Sequence, residues 1–358
     1  SGLHVTTLDS ATYAHVIASA YIETDARAVS GPELQAALAF LNRVPGRAGY
    51  VTEVFCEKAR YFHPANGERI DVIRDTIEER WAQTPLYPVL LTSLLEAADR
   101  VDSTTGLQMA FLKSWAPRAL RPIELRMPHL LAGAGRAIRG DASEIAAELH
   151  HADIAYLDPP YNNHRYFTNY HVWETLVRWD APDYYGVACK RVDCREPETA
   201  SVFNKRRTMP AALSATVDAV DAELLLVSYN DESWLSPEEL VAMCWRAVAR
   251  RRAVSESAVS VLGVDQARYV GAQIGIHNAA GEKVGTVSHL RNTELLVFAG
   301  PKELVSRACA AGRSAAARSG LRAFEVLPAV DGEVAFPRDL VTQPFGRALS
   351  LVAPRESR

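Results

Sequence analysis

Residues 158–161 read Asp-Pro-Pro-Tyr and directly follow the apolar run Ile154-Ala155-Tyr156-Leu157. They place a carboxylate, a prolyl carbonyl and an aromatic ring within four residues. Such a set suits an amino group conjugated to a flat heteroaromatic ring, which is a poor nucleophile because its lone pair is delocalised. Acceptors on both amino hydrogens favour a tetrahedral nitrogen and concentrate the lone pair. Asp158 and Pro159 would be those acceptors, with Pro160 holding the Pro159 carbonyl outward by fixing the backbone. Tyr161 would offer a face for a base taken out of its stack. The nitrogen could then attack an electrophilic methyl directly, with no covalent enzyme intermediate and no cysteine.

These groups need a rigid support. The 154–157 run is short, apolar and partly β-branched, which predicts a buried strand. Two prolines cannot continue it, so the turn should sit at a strand's carboxyl end, where open α/β sheets bind ligands. Residues 1–20 read as a strand followed by a helix. The block 21–130 reads as mostly helical, with helices expected from Pro32 to Leu41, Ile70 to Trp81 and Val89 to Ala98. Core pattern returns at 135–160 and 210–300, and between these lies a long Tyr-rich connection over 162–209. A connection of that length in a compact domain usually has a function. The aromatic turn at Tyr61-Phe62-His63 is expected to pack under a loop. The basic stretch from Lys113 to Arg126 reads either as a phosphate track or as a solvated face.

The residues after the turn, Asn162-Asn163-His164-Arg165-Tyr166-Phe167-Thr168-Asn169-Tyr170-His171-Val172-Trp173-Glu174, lead into Arg178-Trp179-Asp180-Ala181-Pro182. This block resembles one branch of the D12 class of N6-adenine-specific DNA methyltransferases, relatives of the Dam methylase. Asn169, Tyr170, His171 and Glu174 match the family pattern directly, whereas its Arg-Gln pair is represented by Arg165 displaced by one place. Gly140-Asp141-Ala142-Ser143-Glu144 is similar to the segment whose acidic residue contacts the cofactor's adenine. Gly2 to Asp9 is similar to the family's second strand, with Asp9 at the carboxylate for the ribose hydroxyls. Leu224 to Asp231 and Asn292 to Phe298 resemble later core strands.

The resemblance implies an α/β fold, a Rossmann-like class I methyltransferase sheet with a mostly helical insertion. It places the core at 1–20 and 131–300, a candidate target-recognition insertion at 21–130, and an extension of unknown role at 301–358. It implies S-adenosyl-L-methionine as cofactor, held by Asp9 and Asp141, and flipped adenine in double-stranded DNA as substrate. Asp158, Pro159, Pro160 and Tyr161 would be catalytic. Asn162, Arg165, Tyr166, Asn169, Tyr170 and His171 are candidate substrate contacts, joined by the basic run Lys205, Arg206 and Arg207. The setting implied is restriction–modification or phage defence, with a restriction endonuclease or other defence subunits as partners. The family's first strand ends in a glycine-rich turn, roughly Phe-x-Gly-x-Gly, which has no counterpart before Gly2. Truncation is the expected reason, the other readings being a complementing polypeptide or loss of methyl transfer. The run Gly133 to Gly140 is expected to be a loop leading into the strand before Asp141.

Plainer roles stand beside these. Asp9 and Asp141 could each be a helix N-cap. His171 and Glu174, three apart on an expected helix, could serve packing. The net charge of −4 argues against a uniformly basic nucleic-acid binder but leaves room for a local cationic groove. The five cysteines form no Cys-x-x-Cys pair, so neither a disulfide framework nor a metal site is expected, and a reducing cytoplasm fits. No Pro-Cys pair occurs, which dismisses cytosine-C5 methylation. No membrane span or signal peptide is visible. The alternatives carried forward are an N4-cytosine or RNA-adenine methyltransferase and an inactive DNA-binding or scaffold subunit.

Overall fold

The computed structural model describes residues 2–104, 106–160, 163, 165–231, 233–267 and 291–330. The chain opens with β1 (Thr6–Asp9) and α1 (Thr12–Ala18), then α2 (Gly31–Leu41), α3 (Pro64–Trp81) and α4 (Tyr87–Asp99). Next come β2 (Arg136–Arg139), α5 (Ala142–Ile145), β3 (Ala152–Leu157), α6 (Tyr166–Asn169) and α7 (His171–Arg178). A short hairpin of β4 (Tyr184–Tyr185) and β5 (Lys190–Arg191) precedes α8 (Met209–Ala219), β6 (Ala222–Asn230) and α9 (Pro237–Ala249). The last elements are β7 (Ser257–Ala267), β8 (Arg291–Pro301), α10 (Lys302–Arg318) and β9 (Arg322–Val330). These form two compact units, Ser1–Ala142 with Arg165–Ser201, and Ser143–His164 with Val202–Arg358.

The first unit is mostly helical because its apolar residues recur at helical spacing. Leu34, Leu38 and Leu41 of α2, Ile70, Ile73 and Ile77 of α3, and Leu90 and Leu94 of α4 are buried in one core. Tyr61 and Phe62 are buried with them, which accounts for the aromatic turn as packing. β1 and β2 pair in parallel, from Thr6 opposite Arg136 to Asp9 opposite Arg139. The run 133–140, expected to be a loop, holds β2 itself over Arg136–Arg139, and Gly135 sits in the short loop before it. A Cβ there would fall 2.3 Å from the Val5 carbonyl oxygen, so only glycine permits this approach. The stretch ending at Arg126, a short 3-10 turn over Pro117–Leu120 followed by chain outside any helix or strand, is pinned by two asparagines. Asn66 donates to the Ala119 and Arg121 carbonyls and accepts from the Ile123 N–H, while Asn42 exchanges both bonds with Leu125. Arg118 is paired with Asp102 and Arg126 with Glu124.

The second unit is a five-stranded sheet of order β3-β6-β8-β7-β9, in which β3 and β6 are parallel and the remaining pairs antiparallel. Side chains alternate between its faces. Leu225, Val227 and Tyr229 of β6, with Val259, Val261, Leu295 and Val297, pack with residues of α8 and α9. Leu224, Leu262, Val264 and Phe298 pack with Val305 and Cys309 of α10. Val227 stands opposite Val297 and Val297 opposite Val261, all completely buried. Each such side chain contributes about 1.5–3 kcal/mol by leaving water. α9 starts on a reciprocal capping box between Ser236 and Glu239.

The 152–157 segment is a strand as expected, but not a buried one. β3 is the edge of its sheet, hydrogen-bonded only to β6, and Ile154 and Tyr156 are 61% and 56% exposed. Apolar composition alone does not distinguish an interior strand from an edge strand whose outer side lacks a neighbour. α10 and β9 fall in the stretch expected to be an appended segment, and β9 adds to the sheet through β7. Among the described residues no helix is long and apolar enough to cross a membrane.

Candidate active site

β3 ends where Pro159 and Pro160 remove the N–H groups needed to extend its ladder with β6. Leu157 is the last paired residue, opposite Val227, so Asp158 emerges where β6 turns polar at Ser228 and Asn230. Asp158 is exposed at this edge, yet enough protein surrounds it that desolvation raises its carboxyl above the usual range. The next strand contributes Glu294, which stands opposite Asn230. Ser228 Oγ donates to Glu294 Oε1 at 3.0 Å, and Asn230 Nδ2 donates to Oε2 at 3.4 Å. Burial raises the Glu294 carboxyl. Its bonds from Ser228 and Asn230 act against that, and the charges of Asp158 and Asp231 add to it.

Tyr156, two residues before Asp158, presents its ring on the same side of β3. Desolvation raises its hydroxyl, a bond with Ser228 opposes the shift, and the charges of Asp158 and Glu294 reinforce it. The end of this sheet is therefore rich in hydrogen-bond acceptors beside an exposed ring. Its chemistry suits a partner that brings N–H donors on a flat framework. Tyr156, Ser228, Asn230 and Glu294 were not singled out from sequence. The available signal was the polar end of the 224–231 strand and the polar start of the 292–298 strand. Tyr161 and Asn162, expected at the site, lie outside the described residues.

The expected cofactor carboxylates belong to the first unit. β1 delivers Asp9 and β2 leads through Gly140 to Asp141, so parallel pairing brings both to the same strand ends. The Gly140 N–H donates to the Asp9 carbonyl at 3.0 Å. Asp9 Oδ1 accepts the Ala11 N–H at 2.8 Å. Desolvation raises the Asp9 carboxyl, while the N–H groups of Ala11 and Ser10 hold it back.

The 165–174 block occupies the same unit. Arg165 donates to the Cys194 carbonyl at 3.1 Å. Tyr166 stacks almost parallel on Tyr170, whose ring lies 5.5 Å from that of Tyr13 in α1. Asn169 is buried, and its carbonyl accepts the Gln108 N–H at 2.9 Å. His171 is fully buried, with Nε2 3.0 Å from the Gln108 carbonyl and 3.3 Å from the Tyr61 hydroxyl. Burial pushes the imidazole down to about 3, so it is neutral at physiological pH. Glu174 is buried too, against the first turn of α1. These placements support packing roles for Asn169 and His171, make Glu174 a buried acceptor for the start of α1, and leave Tyr166 as a half-exposed ring. In the second unit Lys205, Arg206 and Arg207 are exposed in the turn before α8. Among the described residues no group of three or more His, Cys, Asp or Glu side chains is arranged to hold a metal ion.

Comparison with known proteins agrees with the chemistry of the turn. A family model described as D12 class N6 adenine-specific DNA methyltransferase matches residues 1–243. Type II methyltransferase M.NlaIII of Neisseria lactamica is 30% identical over 234 residues, which is 63% of this chain and 67% of that protein. Type II methyltransferase M.FokI of Planomicrobium okeanokoites is 32% identical over 199 residues, 52% of this chain and 29% of that protein. Type II methyltransferase M.CviAII of Paramecium bursaria Chlorella virus 1 is 30% identical over 244 residues, 62% and 69% respectively. The match thus spans about two thirds of M.NlaIII and less than one third of M.FokI. No solved structure matches the chain at comparable significance.

Proposed function

The chain belongs to the D12 class N6 adenine-specific DNA methyltransferases, and on that premise we propose that it methylates adenine N6 at a specific site in double-stranded DNA. The observation that carries the reading is the Asp158-Pro159-Pro160 turn at the carboxyl end of β3, with a solvent-facing, partly desolvated carboxylate. Asp158 and the Pro159 carbonyl accept the two hydrogens of the adenine amino group and draw its lone pair toward the attacking direction. Pro160 keeps that carbonyl aimed outward, and Tyr161 stacks on the flipped base. Asn162, Arg165, Tyr166 and Tyr170 contribute to the substrate side, and Lys205, Arg206 and Arg207 meet phosphate.

Asp9 and Asp141 are acceptors at the ends of neighbouring parallel strands. That pair of acceptors fits the ribose hydroxyls and adenine amine of S-adenosyl-L-methionine. When bound, this cofactor supplies an electrophilic methyl on a sulfonium. The fold we assign is the Rossmann-like class I methyltransferase sheet, with residues 21–130 as the target-recognition insertion. The setting is restriction–modification, a reading supported by relatives named as Type II methyltransferases.

The test is incubation with duplex DNA and S-adenosyl-L-methionine, followed by digestion and mass analysis of the nucleosides. N6-methyladenine is expected. N4-methylcytosine, or methylation of RNA alone, would replace this reading with another chemistry. DNA binding without any methylated nucleoside would make the protein a scaffold subunit.

A further inference from the structure

α1 begins without a side-chain cap of its own: Ala11 occupies the capping position and has no acceptor to offer. The first amides of a helix need acceptors, and burial without them is costly. Here the acceptor comes from Glu174 in α7. Its Oε2 receives the N–H groups of Thr12 at 3.0 Å and Tyr13 at 3.2 Å, and its Oε1 receives the Thr12 hydroxyl. Glu174 is only 1% exposed, so α1 supplies its carboxylate with partners that water does not. The Ala11 amide, one residue before this cap, is the group that holds Asp9 Oδ1. The hydrogen bonds of Glu174 to Thr12 and Tyr13 and that of Asp9 to Ala11 are therefore joined through the Ala11–Thr12 peptide, in the first turn of α1. The Tyr13–Tyr170 ring contact ties the same two segments a second time.

We propose that Glu174 is a positioning residue for the cofactor, holding the Ser10–Thr12 turn so that the Asp9 carboxylate faces the ribose. This deepens the proposed function and rests on the assignment of Asp9 made there. Glu174 touches neither cofactor nor DNA; it acts through α1. Its role is also distinct from that of a generic core residue, because a neutral isostere should retain it. In Glu174→Gln the amide oxygen can take the two backbone N–H groups, while the amide nitrogen donates to the Thr12 hydroxyl. Glu174→Met keeps the volume and removes both acceptors.

The experiment is calorimetric titration of S-adenosyl-L-methionine into wild type, E174Q, E174M, D9A and the double variant D9A/E174M, with DNA affinity measured in parallel. E174M should weaken cofactor binding about tenfold, E174Q less than threefold, and neither should move DNA affinity by more than twofold. In the D9A background E174M should have little further effect, because the two residues act in series. An equal loss in both backgrounds, or cofactor binding by E174M at the wild-type level, would overturn the proposal. Hydrogen exchange on the cofactor-free protein gives a readout independent of binding. E174M should speed exchange at Ala11, Thr12 and Tyr13 at least tenfold and leave Ala137 and Ile138 of β2 unchanged. Unchanged exchange at Thr12 and Tyr13 would refute the positioning role even if the chain binds no cofactor. Wild-type cofactor affinity in D9A would instead refute the assignment of Asp9.

Discussion

Arg191 grips Asp180 with two guanidinium hydrogen bonds of 2.7 Å each. The same guanidinium reaches Asp193 and the Thr175 hydroxyl, and it is 1% exposed. Asp180 lies between Trp179 and Ala181, both held at positive φ, a conformation that costs a non-glycine residue about 1 kcal/mol or more. The clamp thus offsets local backbone strain and fastens the chain leaving α7 to the β4–β5 hairpin.

Removing the clamp should therefore be expensive. Arg191→Met removes the buried partner of two partly buried carboxylates and leaves them only the more exposed Arg178, so it should lower the unfolding free energy by about 3 kcal/mol, the low end for a broken buried pair. Asp180→Asn, which keeps one acceptor, should cost about half as much. Urea denaturation of the two variants checks both the size and the order of the effects.

A second stability effect is set by pH. Burial pushes the His171 imidazole down to about 3 in the folded protein, well below its unfolded value near 6.5. The unfolded chain therefore takes up the proton first, so this contribution is fully present above pH 6.5 and is lost as pH falls toward the folded value. Wild type should lose about 1 kcal/mol per pH unit from this group between roughly pH 6 and 4. His171→Gln should be less stable at neutral pH and lack that slope, as urea midpoints measured across the range would reveal.

The legibility of these features in the sequence followed the range of the interactions that create them. The turn at 158–160 was readable because its causes are local: an apolar run stopped by two prolines. The helices at 31–41, 64–81 and 87–99 were readable for the same reason, through their periodicity. The meeting of Asp9 with Asp141 depends on parallel pairing between strands joined by the whole helical block, which no spacing announces. Likewise, the i, i+3 spacing of His171 and Glu174 predicts a shared helix face but not what that face meets. One meets Tyr61 and Gln108, the other the start of α1. The exposure of Ile154 and Tyr156 was illegible because composition does not say which strand becomes an edge.

Asp158 is expected to be required for methyl transfer and dispensable for folding. Its side chain is exposed, so Asp158→Ala should leave the thermal midpoint within a few degrees of wild type. Methylation should fall by about a thousandfold or more, as for loss of a group acting on the reacting atoms. Single-turnover methylation with saturating DNA and cofactor separates this from a binding defect. Wild-type turnover by the variant would remove the mechanistic assignment.

Glu294 should tune the pH at which Asp158 works. The amino-directed mechanism needs Asp158 ionised, because a protonated carboxyl loses acceptor capacity. Desolvation has raised its pKa, so the acid limb of the turnover profile should lie above the ordinary carboxylate range near 4. The Asp158 charge pushes the Glu294 carboxyl upward; repulsion between two carboxylates is reciprocal, so an ionised Glu294 resists Asp158 ionisation beside the desolvation that raises Asp158 itself. Glu294→Gln removes that repulsion and keeps acceptors for Ser228 and Asn230, so Asp158 should ionise more easily. The acid limb should then move to lower pH by a few tenths of a unit to about one unit, with turnover on the plateau little changed. Profiles of wild type and E294Q between pH 4.5 and 8 decide the matter. A limb that stays in place would show that desolvation alone sets the Asp158 carboxyl. A limb that moves upward would mean that Glu294 is protonated in the working enzyme and donates toward the site.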